Sequence, residues 1–179
     1  MNFDKLLKSI VGVIMEEQIK LGYRKETIHL FYPLQSLNLM FGTECNIEEM
    51  EQLLKEFCTS MEADWGQTRI SIKGDRFFLH FSPEVSEYVH EHAPKTGFLY
   101  DFIAAVSRHG VKIQDIEEIF HRYSDHVVVK KVTHGEFDYL IYFEDGDPDE
   151  YRYCLTDEGI HFIYHRFSKE DYTAFGFED

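Results

Sequence analysis

The chain has 179 residues, of which 44% are hydrophobic and 28% charged, a composition that excludes disordered, collagenous and low-complexity classes. Asp and Glu number 33 against 18 Lys and Arg, a formal charge of −15, so a polyanion such as DNA meets a repulsive field at long range. No run approaches the ~20 apolar residues of a membrane span. The opening MNFDKLLKSIVGVIMEEQ lacks the small-residue cleavage site of a signal peptide. Cys45, Cys58 and Cys154 show no CxxC spacing and fit reduced thiols, so a cytoplasmic location is the expectation.

Along the chain, Phe3, Leu7, Ile10, Val11, Ile14 and Leu21 recur near one stripe of an amphipathic helix over residues 3–21, with Gly22 at its stop. TIHLFY has no decisive pattern. Pro33 opens a short helix through Phe41, which Gly42 ends. Asn46 followed by Glu49 has capping-box spacing and starts a helix to about Met61, with Ile47, Met50, Leu53, Leu54 and Phe57 inward. Thr68–Lys73 and Phe77–Phe81 form a hairpin about Gly74-Asp75. Ser82-Pro83-Glu84 then caps a helix through His92, and the APKTG stretch marks a boundary between a module over 1–94 and another over 95–179.

The second module opens with helices over Phe98–Arg108 and Ile113–Tyr123. From residue 126 the period changes to two, giving strands His126–Thr133, Phe137–Phe143, Tyr151–Thr156 and Ile160–Arg166. Turns at His134-Gly135, at 145–149 and at 157–159 are short, which predicts an antiparallel meander with Phe137, Tyr139, Ile141 and Phe143 on one buried face. Ile47/Met50/Leu54/Phe57 and Ile113/Ile116/Phe120/Tyr123 repeat one stripe, so the halves are candidates for a divergent duplication. The expected class is α+β: a winged-helix-like helical module with a β-hairpin, then helices and a four-stranded antiparallel meander.

Residues 46–92, with the acidic helix, the Gly hairpin turn followed by aromatics, and the Pro83-Glu84 helix carrying Tyr88-Val89, resemble a winged-helix module of segregation and condensation protein B. That resemblance implies tandem winged helices, dimerisation and a kleisin partner. Over its whole length, particularly YCLTDEGIHFIYHRFSKEDY, the chain also resembles an uncharacterised bacterial domain-of-unknown-function family, which implies no activity.

A winged helix reads DNA by default, but the helix after Asn46 carries Glu48, Glu49, Glu51, Glu56 and Glu62 against Lys55, and the helix after Ile113 carries Asp115, Glu117 and Glu118 against Arg122. Carboxylates set beside phosphates gain little counterion-release affinity, and basic residues come no more than two in a row (Lys130-Lys131), so nucleic acid is disfavoured.

His90 and His92 point to different sides of a helix, and His161 and His165 lie about 13 Å apart on a strand, so neither pair chelates a metal. The run 144–150 lacks the glycine and terminal glutamate of a calcium loop and reads as a solvated tip. No GxSxG, P-loop or dinucleotide fingerprint implies a cofactor. An acid–base site needs Arg122, Asp125, His126, His165, Arg166 and Asp171 to converge. The aromatic segment with Tyr172, Phe175 and Phe177 either packs back on its own sheet or forms an interaction surface. The leading functional reading is a non-enzymatic, cytoplasmic protein-interaction module, with self-association among its options. Alternatives are an enzyme or small-ligand binder with a site between the modules, and a nucleic-acid-associated winged-helix protein.

Overall fold

The structure is a computed structural model that describes residues 3–132 and 136–176. Its fold is α+β, with seven helices and two antiparallel sheets among the described residues. The chain divides into two compact units, Met1–Ala93 and Pro94–Asp179.

In the first unit, α1 (Asp4–Leu21) buries Leu6, Ile10 and Ile14 at i, i+4 spacing. Leu21, expected inward, is 65% exposed, because the stripe turns away from the core by the last turn. The TIHLFY segment is β1 (Ile28–Pro33), followed by α2 (Leu34–Phe41), which Gly42 ends in the left-handed conformation at φ +64°. In α3 (Ile47–Trp65) both capping-box bonds form: Asn46 Oδ1 accepts from the Glu48 and Glu49 amides, and the Glu49 carboxylate accepts from the Asn46 amide. This helix runs four residues beyond the expected stop, which carries Trp65 into the core.

Strands β2 (Arg69–Lys73) and β3 (Arg76–Phe81) form the expected hairpin, and β1 joins the far side of β3 in the order β1-β3-β2. Alternation buries Ile28, Tyr32, Phe77, Leu79 and Phe81 and half-buries Leu30, Ile70 and Ile72 against the helices. In α4 (Pro83–His92), Ser82 has the N-cap backbone conformation, but its hydroxyl donates to the Trp65 carbonyl instead of capping. At Gly66, φ +65° and a position 2.8 Å from Ser82 Oγ for any added Cβ leave room only for glycine at this joint.

The second unit pairs α5 (Phe98–Val106) with α6 (Ile113–Tyr123), and the Asp115 carboxylate accepts from the Lys112 amide at the start of α6. The meander β4 (Val127–Lys131), β5 (Tyr139–Phe143), β6 (Arg152–Asp157) and β7 (Phe162–Phe167) runs in sequential antiparallel order. The expected His134-Gly135 turn lies outside the described residues. Phe137 precedes its strand and Ile160 sits in a turn, 59% exposed.

A larger difference concerns burial: both faces of the meander are covered, not one. Ile141, Phe143, Tyr153 and Leu155 are buried on the side where Phe98, Phe102 and Phe120 meet Phe143 and Tyr153. Leu140 and Cys154 are buried on the other side with Tyr172 of α7 (Lys169–Ala174). The helix order α2–α3 then hairpin is shared by α5–α6–β4–β5, while among the described residues β1 has no counterpart before α5 in the second unit and β6–β7 none in the first.

Candidate functional site

The acid–base candidates occupy separate places in the second unit. Arg122 is exposed on α6, its Nη1 3.4 Å from Asp101 Oδ2, which also accepts from the Tyr123 hydroxyl at 2.9 Å. Asp125 and His126 are exposed just before β4. His165 and Arg166 lie on β7, at the opposite edge of the sheet from β4. Three strand spacings put the two edges about 14 Å apart. As neighbours on one strand, His165 and Arg166 face opposite sides: His165 stacks near Phe167, and the Arg166 guanidinium lies 4.0 Å above the Tyr151 ring. The Asp171 carboxylate accepts from the Ser168 hydroxyl at the start of α7. The six side chains therefore do not converge, because the meander separates its edges and alternation separates adjacent residues.

The C-terminal aromatics divide between core and surface. Tyr172, expected as a possible contact residue, is buried, 6% exposed, with the Arg152 guanidinium 5.5 Å from its ring and 4.6 Å from Tyr142. It is part of the unit's own packing because α7 folds back on the sheet. Phe175 is 62% exposed and touches Phe167 at a centroid distance of 5.7 Å. Phe177 lies outside the described residues. Ile163, 44% exposed on the edge strand β7, and Ile160 in the turn before it add to an apolar margin.

Histidines in the first unit have local partners: His90 stacks on Tyr23 at 4.1 Å, and His92 stacks on Tyr88 and donates Nδ1–H to its carbonyl. Among the described residues no group of three or more His, Cys, Asp or Glu is arranged to hold a metal ion. In the acidic loop, Asp145 accepts from the Asp147 amide, and Asp149 accepts from the Tyr151 amide and the Tyr153 hydroxyl, so these carboxylates close their own turn.

Cys58 borders an open hollow with Lys55, Thr59, Glu62, Gln67 and Thr68. Burial pushes its thiol from 9.0 up to about 11, and burial pushes Cys154 up to about 12 despite the opposing Arg152 charge. Both thiols stay protonated near neutrality, which disables them as nucleophiles. At pH 8 Ellman's reagent is expected to label Cys58 about 100-fold more slowly than a thiol at the ordinary value of 9.0, the ratio implied by two pH units. Folded values above the unfolded 9.0 leave stability intact below pH 9 and erode it as pH rises toward 11 and 12, where only the unfolded chain has released the protons. Cys58→Ala and Cys154→Ala should each flatten that alkaline decline in melting experiments. An unchanged slope in both would refute the assignment.

The outer face of the first sheet was not anticipated. Register sets three rows across the strands: His29, His80 and Arg69; Phe31, Phe78 and Ser71; Pro33, Arg76 and Lys73. His29 Nδ1 and His80 Nδ1 are within hydrogen-bond distance at 2.9 Å, and Ser71 Oγ is 2.8 Å from His80 Nε2. Phe31 is 55% exposed, its centroid 6.0 Å from Phe78, with the Arg76 guanidinium 5.5 Å from its ring. Arg69, Lys73 and Arg76 look dispersed as text, but i, i+2 alternation and cross-strand pairing gather them. The usable signal was the strand period of RISIKGDRFFLH, which puts every basic residue of that hairpin on one side.

Comparisons with curated proteins and with solved structures give no match. Residues 3–176 match the family described as "Domain of unknown function, E. rectale Gene description (DUF3877)". With nearly its whole length covered by that match, the chain belongs to the DUF3877 family of unknown function.

Proposed function

We propose that the chain is a non-enzymatic protein-interaction module that self-associates through the β7 margin of its second unit. The observation that carries this reading is the apolar margin itself: an edge strand with Ile163 and Phe175 exposed beside it. Edge strands leave backbone donors and acceptors unpaired and are commonly guarded by charge. The opposite edge, β4, ends in Lys130-Lys131, whereas β7 presents Ile163. A second copy offers the same strand, so pairing is self-complementary and closes as a two-fold dimer. Dispersal of the acid–base candidates and the protonated thiols support a binding role over a catalytic one.

Sedimentation velocity on the full chain tests this. The wild type is expected to sediment as a dimer, while Ile163→Lys and Phe175→Lys shift it to monomer with an unchanged far-ultraviolet circular dichroism spectrum. A wild type that is monomeric across the accessible concentration range overturns the proposal.

A further inference from the structure

We propose that the outer face of the β1-β3-β2 sheet binds single-stranded nucleic acid, with Phe31 and Phe78 stacking bases and Arg69, Lys73 and Arg76 holding phosphates. None of the nine outward positions is a carboxylate, in a chain whose Asp and Glu number 33 against 18 Lys and Arg. Four cations elsewhere lie against a carboxylate: Lys20 pairs with Glu16, Lys25 with Glu87, Lys55 with Glu51 and Arg122 with Asp101. Among the described residues Arg69, Lys73 and Arg76 form no ion pair, and all three are exposed. An anion is therefore the complement of this face.

The rings decide which anion. Phe31, 55% exposed, and the half-buried Phe78 sit side by side between the cationic rows, with the Arg76 guanidinium over the Phe31 ring, and an unpaired base can stack on an exposed ring while its phosphate reaches a neighbouring cation. An acidic peptide satisfies the cations and leaves the rings uncovered. A duplex keeps its base faces stacked on one another, so it offers phosphates to the cations and no open base to the rings. The face measures about 10 Å across three strands and about 13 Å along them, room for roughly two nucleotides. The acidic remainder of the chain repels a nucleic acid at long range and keeps the affinity of so short a contact low.

Fluorescence anisotropy with labelled oligo(dT) and oligo(U), using the full chain at low salt, tests the proposal; binding of either or both supports it. With three phosphates neutralised, log K is expected to fall against log salt with a slope of about −2. Phe31→Ser should weaken binding about 10-fold, and the triple variant R69A/K73A/R76A should abolish it with the fold retained by circular dichroism. Lys20→Ala and Lys25→Ala, which remove paired cations, should bind as the wild type does. Ile163→Lys should also leave binding unchanged, which separates this face from the dimer reading. The proposal is overturned by no anisotropy change at low salt, by equal affinity for a duplex, or by Phe31→Ser binding like the wild type. Displacement of the oligonucleotide by polyglutamate at matched charge overturns it as well and assigns the face to an acidic protein segment.

Discussion

Trp65→Ala is expected to destabilise the protein by about 3–5 kcal/mol, a large share of the ~5–15 kcal/mol that holds a typical domain together. Trp65 is 1% exposed at the end of α3. Edge-on contacts join its ring to Phe57 at 5.8 Å, Phe81 at 5.7 Å and Tyr88 at 6.2 Å. Those partners belong to α3, β3 and α4, so truncation leaves a void that one element alone cannot move to fill. The indole Nε1–H is buried without a hydrogen-bond partner among the described residues. Trp65→Phe accordingly removes no hydrogen bond and should cost under about 2 kcal/mol. Urea unfolding followed by circular dichroism separates the two variants, and equal losses would contradict this account.

Phe102→Ala should cost the second unit about 3–5 kcal/mol as well. Phe102 is fully buried and sits among Phe98, Phe120, Tyr153 and Tyr164 at 6.0, 5.8, 4.6 and 4.8 Å. Three of these contacts are edge-on, geometries that add attraction beyond burial. Phe102→Leu keeps most of the volume and should lose about 1.5 kcal/mol or less. Glu118→Ala, on the exposed side of α6, should stay within about 0.5 kcal/mol. Thermal melts of the three variants give the ranking, and a Phe102→Ala protein no less stable than Glu118→Ala would refute the role assigned to this cluster.

Elements with local signals were legible in the sequence. The Asn46–Glu49 capping box, Gly42 and the Gly74-Asp75 turn act over a few residues, and the structure forms each of them. Features that depend on distant chain were not. β1 is defined by pairing with β3 some fifty residues later, and its outward Phe31 breaks the polar alternation that marks a half-buried strand. Burial of the second meander face depends on α7 returning over Arg152 and Cys154, which no local period encodes. The same limit governs sites. The acid–base residues share chemistry without sharing a place, while Arg69, Lys73 and Arg76 share a place that only strand pairing creates. Charge counted along the chain describes the far field, and charge counted by face describes what a ligand meets.

The six-residue helix α7 has a consequence for biosynthesis. The meander cannot seal its second side until residues 169–174 have left the ribosomal tunnel, so Leu140, Cys154 and the Arg152 stem meet solvent, or a chaperone, during translation. The first unit's core, complete by Ala93, carries no such delay.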